Sequence, residues 1–447
     1  MITKIKGIKD YNFIEYELKN FISSIFEELC LKNGFKFIET PIIESTNLFK
    51  RTVQDSEIAQ KEMYDFLIKV KEKFLLDPKE QHLLLEHILK ISGILNKIKG
   101  LLTISYMFRY EQPQKGRYRQ FYQAGVEFVG EKNYLKDIAV IYLAASILDY
   151  LEVPYKLKIN SIGNLESRRN YELSLKNYLI KFKDQLTPES QKRLLENNVL
   201  RILDDKIDSK LDFIKNAPKI SDYLSEESKT YYNNVKIKLD ELGIEYIESN
   251  ELVRGLDYYD EVVFEFVADT KDVRSQSTII GGGRYSNLIK ELGGPDLSSV
   301  GFGFGVDRCA SLIRERFIKS TNIEQEINNC DIYVSSSLNE TNLSKLFDLT
   351  YKHLINLFPS VEFEFNIIKS KKLFEKANKK NAKIIIYDDK ILQPNMFCAK
   401  NLLTNDKIIF QNNNQGVADL LRFLEECDLD IDVNELEEYI EGLISNE

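Results

Sequence analysis

The fold is decided by MFRYEQPQKGRYRQFYQAGVEFVG, residues 107–130. Its two ends have the alternating, β-branched and aromatic composition of strands, and the polar loop between them predicts an antiparallel hairpin. In the second strand the two-residue period places Gln123, Gly125 and Glu127 on one face. That face offers an amide, a gap and a carboxylate, whereas the opposite face is apolar and suited to packing.

The hairpin loop carries more positive charge than its length requires. Four cations, Arg109, Lys115, Arg117 and Arg119, accompany the single acid Glu111. Such a cluster suits a triphosphate or a nucleic-acid backbone, although a solvated hairpin tip would have a similar composition. Arg109 and Glu111 share a strand face, and an arginine oriented by a neighbouring carboxylate is a rigid fork for phosphate oxygens.

On the N-terminal side of the hairpin, residues 12–33 have apolar positions at helical spacing, and Gly34 is placed to end a helix. The segment FKFIETPII then reads as a strand whose Pro41 suits an edge. On the C-terminal side, residues from about 170 to 248 are charged and helical. Strand-like runs resume at DEVVFEFVAD and STIIGGG, and GFGFGVDR leads into an amphipathic helix.

After about residue 327 strands and helices alternate, which predicts a separate small α/β domain. These changes of pattern divide the chain into five parts: 1–170 and 249–326 as two parts of one core, 171–248 as a helical insertion, 327–424 as the C-terminal domain, and 425–447 as an acidic tail. The tail has helical apolar spacing and is interpreted as a solvated surface helix.

Composition excludes several classes of protein. The chain has 447 residues, 43% of them apolar, but no run of about 18 uncharged apolar residues, so neither a membrane span nor a secretory signal is predicted and the cytoplasm is expected. The five cysteines are scattered without the spacing of a zinc site, which predicts buried thiols and no protein metal motif. Only three histidines are present.

The net charge of −9 is unevenly distributed. From Glu425 onward the chain has ten acids and no Lys or Arg, so the remainder is close to neutral. A near-neutral body with local basic patches can bind a polyanion. One such patch is the segment 367–383, with seven lysines and one glutamate. It is either a solubilising face or a surface for RNA.

Further motifs follow the helical insertion. LVRGLDYY places Arg254, Asp257, Tyr258 and Tyr259 before a strand, where the two tyrosines could equally be core residues with a polar tip. The glycine-rich strings IIGGGRY and GFGFGVDR match neither a Walker loop nor a dinucleotide fingerprint. A mononucleotide-binding fold is therefore disfavoured.

Taken together, these strings resemble the motifs of the histidyl-tRNA synthetases. MFRYEQPQKGRYRQFYQAGVEFVG resembles their motif 2, LVRGLDYYDEVVFEF and GGGRYSNL their two histidine-specific motifs, and GFGFGVDR the class II motif 3. GFKFIETPIIESTNLFKR resembles motif 1. The resemblance covers nearly the whole chain in the family's order.

The resemblance implies an α/β fold, more closely an α+β catalytic core: a six- or seven-stranded antiparallel sheet flanked by helices, with a helical insertion and a C-terminal α/β anticodon-binding domain. It implies a homodimer formed through motif 1. The implied reaction joins histidine to tRNA(His) in two steps, with ATP, accompanied by Mg²⁺, as the activating substrate. The family's partners are therefore histidine, ATP and tRNA(His), without a membrane.

The resemblance also assigns roles to individual residues. Arg109 would hold the α-phosphate of ATP with Glu111 beside it, Arg308 the γ-phosphate, and Arg117 would lie over the nucleotide. Arg254, together with Arg109, would be catalytic. The histidine site would consist of Gln123 at the amine, Glu127 and Tyr259 at the ring nitrogens, Tyr258 and Arg254, and Gln114 would reach the tRNA acceptor end.

One segment departs from the family pattern. FLLDPKEQ stands where an LRPE-type segment is usual, so Asp77 replaces an arginine, Lys79 the glutamate that binds the substrate amine, and Gln81 a threonine. Ser286 and Asp307 are milder changes from aspartate and glutamate. Either Lys79 limits catalysis, or a one-residue slip offers Glu80 to the amine.

Three accounts of the activity stay open on the sequence. The first is a working histidine–tRNA ligase, supported by the retained imidazole pocket, Arg254 and tRNA-facing loop, in which the altered segment is compensated locally. The second is a regulatory paralogue resembling the synthetase-like subunit of ATP phosphoribosyltransferase. The third is a synthetase paralogue with altered or lost amino-acid activation that binds histidine or tRNA.

Overall fold

The fold is taken from a computed structural model that describes residues 5–46, 62–67, 73–77, 100–113, 116–196, 198–203, 205, 207–252, 259–269, 278–291, 293–321, 323 and 329–445. The chain forms two compact units, Met1–Phe317 and Ile318–Glu447. All five cysteines are buried and free, as predicted. Within the described residues, no helix is long and apolar enough to cross a membrane.

The first unit is built on a large sheet. Its strands are β1 (Lys36–Phe37), β5 (Gly100–Phe108), β6 (Gln120–Gly130), β7 (Tyr155–Gly163), β8 (Tyr246–Glu248), β9 (Asp260–Ala268), β10 (Thr278–Tyr285) and β11 (Ser298–Gly305). The order is β1-β5-β6-β11-β10-β9-β7-β8. A separate small sheet has the order β2-β4-β3, with β2 (Ile43–Ser45), β3 (Tyr64–Leu67) and β4 (Lys73–Leu76).

The large sheet differs in two respects from the six or seven antiparallel strands expected from the resemblance. Among the described residues it has eight strands, and the outermost pair at each edge, β1–β5 and β7–β8, is parallel. All inner pairs are antiparallel. Parallel neighbours need a long crossover connection, and the helical insertion between β7 and β8 provides one.

The helices of the first unit are α1 (Phe13–Lys32), α2 (Tyr134–Tyr150), α3 (Leu165–Leu179), α4 (Pro188–Leu195), α5 (Leu200–Leu203), α6 (Asp212–Lys215), α7 (Glu226–Glu241), α8 (Leu288–Glu291) and α9 (Val306–Thr321). The first helix begins at its cap Asn12, whose side chain accepts from the Glu15 amide. It ends just before Gly34, whose φ of +82° is the left-handed conformation that favours glycine. The predicted helix and stop are confirmed.

The strand β11 shows how the glycine-rich motif folds. Its phenylalanines, Phe302 and Phe304, are fully buried and pack on Phe26 of α1, with ring centroids 6.4 and 5.9 Å apart. The intervening glycines therefore face the opposite side of the sheet, because successive side chains alternate. One face of the sheet is packed under helices, and the other is left open at its centre.

The helical insertion covers one end of that open face. Buried side chains of α3, α5 and α6, among them Leu175, Ile202 and Ile214, belong to the same apolar cluster as Leu101 and Tyr285 of the large sheet. The predicted helices are present, and they share a core with the sheet. The insertion therefore packs as part of the first unit.

The second unit is a five-stranded sheet with helices. Its strands β12 (Ile332–Ser335), β13 (Val361–Phe363), β14 (Ile384–Tyr387), β15 (Met396–Asn401) and β16 (Lys407–Gln411) follow the order β13-β12-β14-β15-β16. Its helices are α10 (Glu340–Leu349), α11 (Ile355–Leu357), α12 (Ser370–Lys379), α13 (Asn414–Glu425) and α14 (Val433–Ser445). A π-helical turn, Thr350–Leu354, joins α10 to α11.

Both faces of this sheet are covered. Ile384 and Ile386 join one apolar cluster, whereas Ile385 joins another, as the alternation of a strand buried on both faces requires. The acidic C-terminal segment is part of the same unit. Leu436 and Ile440 of α14 are 1% and 5% exposed and lie in the first cluster, so the helix interpreted as solvated buries its apolar side.

Candidate functional site

Three arginines predicted from two motifs, the hairpin and the glycine-rich strand with its helix, surround one cleft on the open face of the large sheet. Arg109 follows β5, Arg117 belongs to the hairpin loop, and Arg308 is in the first turn of α9. The cleft has a volume of about 290 Å³. Glu111, only 8% exposed, lies between two of them: its Oε1 is 3.8 Å from Arg109 Nη1, and its Oε2 pairs with Arg117 Nε.

The charges in this cleft are unbalanced in a way that favours an anion. Burial, together with the positive charges of Arg117 and Arg109, lowers the pKa of Arg308 to about 10, against a smaller opposing effect of Glu265. A guanidinium with a depressed pKa is one whose charge is poorly compensated. A polyanion bound between these groups would relieve that repulsion, which is the electrostatic requirement of a triphosphate site.

The floor of the cleft is made of glycines. Gly281, Gly303 and Gly305 line it from β10 and β11. A Cβ added at Gly303 would lie 3.2 Å from the amide nitrogen of Gln123, which also lines the cleft. The alternation of glycine and phenylalanine in GFGFG therefore serves two purposes, since the aromatic side chains fill the helix-covered face and the missing side chains leave room for a ligand.

Further along the same face, Glu127 is fully buried. Its Oε2 accepts a hydrogen bond from Ser299 Oγ at 3.0 Å. A Cβ at Gly301, its register partner on β11, would lie 2.4 Å from that oxygen, so only glycine leaves the carboxylate in place. The sequence therefore provides both the acid and the space above the neighbouring strand.

Tyr259 directly precedes β9, and its ring lies over β10, two strands away from Glu127. Gly301 pairs with Glu127 on one side and with Gly283 on the other, and a Cβ at Gly283 would lie 2.8 Å from the Tyr259 ring. Adjacent strands are about 4.8 Å apart, so the carboxylate and the phenol flank one glycine-lined space. A carboxylate and a phenol can each pair with one nitrogen of an imidazole. Tyr259 is 1% exposed and Glu127 is fully buried, so both polar groups are withdrawn from solvent.

Comparison with known proteins agrees with this geometry. The chain is 37% identical over 417 residues to a histidine–tRNA ligase of Mycoplasma mobile, covering 93% of this chain and 91% of that protein. It is 36% identical over 427 residues to a histidine–tRNA ligase of Mycoplasmopsis pulmonis, covering 95% and 98%. The chain belongs to the histidine–tRNA ligase family. No family model matches it.

The solved structures place the chain in the same class II synthetase family. The fold is similar to that of apo histidyl-tRNA synthetase from S. aureus, with a TM-score of 0.70 and 29% identity, covering 92% of this chain and 97% of that one. It is also similar to an ATP phosphoribosyltransferase regulatory subunit/histidyl-tRNA synthetase from Bacillus halodurans, with a TM-score of 0.57 and 20% identity. The second likeness is one of fold alone.

Two polar residues that line the arginine cleft of this chain were not singled out from the sequence. Glu265 of β9 lines the cleft and accepts a hydrogen bond from Thr278 Oγ1 at 3.0 Å. The backbone carbonyl of Thr278 accepts from the Arg308 guanidinium. The alternation of DEVVFEF could have indicated that Glu265 faces away from its aromatic neighbours, but the pattern does not say which face of the sheet is open.

Asp307, the motif 3 residue that replaces a glutamate, has a structural setting of its own. It accepts from Tyr11 Oη at 2.6 Å and from the Tyr122 amide at 2.6 Å. It therefore joins the N-terminal segment, β6 and the helix that carries Arg308. Burial raises the pKa of Asp307, and these hydrogen bonds oppose that effect.

The arginine of the second histidine motif is buried behind the sheet. Arg284 is fully buried and forms a bidentate ion pair with Asp137 of α2, with nitrogen–oxygen distances of 2.6 to 3.1 Å. It also donates to Ser298 Oγ at 2.5 Å and to the Asn133 carbonyl at 3.1 Å. Breaking such a pair on one side is strongly destabilising, because it leaves a buried charge. Arg284 therefore fixes β10 rather than contacting the cleft.

Some predicted residues lie outside the described part of the chain, namely Gln114, Arg254, Asp257 and Tyr258, and likewise Lys79, Glu80 and Gln81 of the divergent segment. Asp77, the first altered position of that segment, is described. It is 2% exposed, its amide donates to the Ile42 carbonyl at 2.9 Å, and its carbonyl accepts from the Phe108 amide at 2.8 Å. This altered position is therefore hydrogen-bonded to the residue that precedes Arg109.

Proposed function

We propose that the protein is a histidine–tRNA ligase that activates histidine with ATP and transfers it to the 3′ end of tRNA(His). The observation that carries the proposal is that one face of the sheet presents a cleft with three arginines and, further along, the buried carboxylate of Glu127 and the buried phenol of Tyr259. A triphosphate suits the first, and an imidazole suits the second.

The proposed reaction has two displacements. The carboxylate of histidine attacks the α-phosphorus of ATP, a phosphorus–oxygen bond forms, and pyrophosphate leaves. The terminal ribose hydroxyl of the tRNA then attacks the activated carbonyl, loses its proton, and AMP leaves. In both steps negative charge develops on phosphate oxygens, first on the α-phosphate and pyrophosphate and then on the departing AMP. Cations that are already in position stabilise this charge in the transition state.

The cleft residues take the roles that the family motifs assign to them. Arg109 holds the α-phosphate, Arg308 holds the γ-phosphate, and Arg117 covers the nucleotide. Glu111 orients both Arg109 and Arg117. Arg254 acts with Arg109 in stabilising the transition state. The support for this arrangement is the convergence of Arg109 and Arg117, from the hairpin, and Arg308, from a segment almost 200 residues further along the chain, on one cleft.

The histidine pocket is proposed to comprise Gln123 at the amine, Glu127 and Tyr259 at the two ring nitrogens, and Tyr258 and Arg254 as further members. Its support is the position of Gln123 in the cleft and of the buried Glu127 four residues further along the same strand. In the proposed complex the amine and carboxylate of histidine lie toward the arginines and its ring lies away from them.

Mg²⁺ is proposed to accompany ATP. It takes one or two carboxylates together with phosphate oxygens, and Glu265 offers a carboxylate within the arginine cleft. Mg²⁺ would supply charge neutralisation at the phosphates.

The domains of the chain and its assembly have proposed roles as well. The segments 1–170 and 249–326 form the catalytic core, 171–248 the helical insertion, and 327–424 an anticodon-binding domain, with Gln114 directed to the acceptor end of tRNA(His). The chain acts in the cytoplasm as a homodimer formed through motif 1. Exposed apolar side chains in and around motif 1, among them Phe37 at 46% and Ile43 at 53%, support such an interface.

Histidine-dependent exchange of pyrophosphate into ATP tests the function. Wild-type protein should exchange with histidine in preference to the other amino acids. Glu127→Ala removes the acceptor of a ring N–H, and loss of a hydrogen bond to a charged group costs about 1.5 to 3 kcal/mol, so the KM for histidine should rise roughly ten- to a hundredfold.

The matched control is Glu131→Ala, which removes an exposed carboxylate just beyond the same strand and should leave the KM for histidine unchanged. Exchange that is stimulated best by another amino acid would refute the assignment of the pocket. Histidine binding without any exchange would instead favour the regulatory or inactive paralogue.

A further inference from the structure

The strand β9 begins with an irregular backbone at Glu261. This residue is fully buried and has a φ of +50°, in the left-handed region that non-glycine residues rarely adopt. Along β10, Gly283 pairs with Val263 while the next residue, Arg284, pairs with Asp260, so β9 contains a bulge at this point. Strained residues persist only where the surrounding structure holds them, and bulges re-aim side chains beside functional sites.

The bulge turns Glu261 away from the cleft. A regular two-residue period would put Glu261 on the same face as Glu265, which lines the cleft. Glu261 instead contacts Lys132 and Ser228, on the side of the sheet that is covered by helices. The chain then returns, and Tyr259 lies over Gly283 on the open face. A regular ladder would pair Arg284 with Val262, whereas here it pairs with Asp260, so the bulge brings Tyr259 two residues closer to Gly283 along β10. The position of the Tyr259 ring therefore depends on the bulge.

The Glu261 carboxylate is held by two other segments of the chain. Its Oε1 accepts from Lys132 Nζ at 2.7 Å and from Ser228 Oγ at 3.1 Å. Lys132 follows β6, and Ser228, fully buried, is in the first turn of α7. The ion pair thus ties the irregular start of β9 both to the strand that carries Glu127 and to the last helix of the insertion.

The helix α7 is attached to the neighbouring strand as well. Tyr231 donates to Asp137 Oδ2 at 2.6 Å, and Asp137 forms the buried pair with Arg284 of β10. The Lys132 ammonium lies 5.2 Å from the Tyr231 ring centroid. The two strands beneath the Tyr259 ring are therefore both connected to one helix of the insertion.

We propose that Glu261 is a positioning residue for Tyr259, and that its contacts with Lys132 and Ser228 hold the bulge that aims the phenol into the pocket. The helix α7 thereby supports amino-acid recognition from behind the sheet. This inference rests on the proposed function, because histidine is taken as the ligand of that pocket.

The first test separates binding of the amino acid from binding of the nucleotide. Lys132→Met and Ser228→Ala each remove one support of Glu261 and should raise the KM for histidine at least fivefold in pyrophosphate exchange, with the KM for ATP within twofold of wild type. Lys132→Arg keeps the charge and should restore the KM for histidine. A variant that only loses thermal stability, or whose two KM values rise together, would overturn the positioning role.

The matched control is Lys156→Met. Lys156 pairs with Asp269 at 2.9 Å just beyond the other end of β9, and both side chains are about half exposed. Its loss removes a lysine–carboxylate pair from the same region of the sheet without touching the bulge. Both KM values should stay at the wild-type level, and a change equal to that of Lys132→Met would contradict the proposal.

The second test does not depend on catalysis. Hydrogen–deuterium exchange of the amides of residues 260–263 should be at least tenfold faster in Lys132→Met than in wild type, and unchanged in Lys156→Met. Unchanged exchange in Lys132→Met would overturn the inference. If wild-type protein shows no histidine-dependent pyrophosphate exchange, the proposed function fails, while the amide exchange still decides whether these contacts hold the bulge.

Discussion

At the scale of single residues, burial changes the chemistry of an acid beside the site. Asp260 is 6% exposed, and its Oδ1 has no hydrogen-bond partner among the described residues. Its Oδ2 accepts from the Ser286 amide at 3.1 Å. Burial raises the pKa of Asp260 to about 6, and the neighbouring Glu261 acts in the same direction, while Ser286 and Arg284 oppose it. The Asp260 carboxylate therefore binds its proton more tightly in the folded protein than in the unfolded chain.

The pKa of Asp260 predicts a pH-dependent stability. An unfolded aspartate has a pKa of about 3.9, so between about pH 4 and pH 6 the folded protein binds more protons than the unfolded chain. The contribution of Asp260 is therefore favourable at low pH and is lost as the pH rises through 6. The full difference of two pKa units corresponds to about 3 kcal/mol.

Asp260→Asn removes this titration. The free energy of unfolding of the variant, measured in urea, should increase relative to wild type as the pH is raised from about 4 to 7. The exposed Asp269, just after the same strand, provides the control, and Asp269→Asn should show a difference from wild type that does not grow with pH. A constant or shrinking difference for Asp260→Asn would show that this acid is ionised in the folded protein at all these pH values.

At the scale of elements, the lysine-rich segment is divided by its contacts. Lys376 pairs with Glu364, Lys380 with Glu362 at 2.9 Å, and Lys383 with Asp331 at 3.3 Å. Lysines 369, 371, 372 and 379 are exposed in and beside α12. Paired lysines stabilise the second unit locally, whereas the exposed ones are available to neutralise phosphates.

These exposed lysines carry the prediction for RNA binding. Replacing Lys371, Lys372 and Lys379 together with Gln should weaken binding of tRNA(His) and flatten the dependence of log affinity on log salt by about 0.7 to 0.9 for each phosphate that is no longer neutralised. Lys380→Gln, which removes a lysine already paired with an acid, should leave the slope near that of wild type. An unchanged slope in the triple variant would assign the segment to solubility alone.

At the scale of the whole molecule, exposed apolar surface in the first unit predicts self-association. The side chains in question belong to motif 1 and to the small sheet beside it: Phe37 at 46%, Ile42 at 38%, Ile43 at 53%, Phe66 at 38% and Leu67 at 60%. Several exposed apolar side chains within one motif and the small sheet beside it are typical of an interface. In a symmetric dimer each such residue is buried twice, so one substitution acts on both copies.

Sedimentation velocity tests the dimer. Wild-type protein should sediment as a dimer at micromolar concentration, and Ile43→Asp should raise the dissociation constant at least tenfold, because a buried isoleucine contributes about 1.5 to 3 kcal/mol and a carboxylate in its place is unpaired. Ile391→Asp, at a position 90% exposed in the second unit, is the control and should not dissociate the dimer. Wild-type protein that sediments as a monomer would exclude the interface.

The sequence by itself determined the elements, their order and the chemical types at the site. The hairpin of residues 107–130 was readable because strand alternation is a local property, and so was the stop at Gly34, which depends on one backbone angle. The positive charge of the arginines indicated a phosphate-bearing ligand such as a triphosphate. In the structure Arg109, Arg117, Arg308 and Gln123 line one cleft, and their roles toward a ligand stay predictions.

Only the tertiary structure decided which side chains support that cleft. Arg284 and Asp137 are 147 positions apart in the chain, and Tyr11 and Asp307 are 296 apart, so neither pair has a local sequence signature. The bulge at Glu261 interrupts a run, DEVVFEF, that reads as a regular strand. Its backbone is held by a lysine and a serine from distant segments, and such long-range contacts exist only once the sheet and the helices have packed.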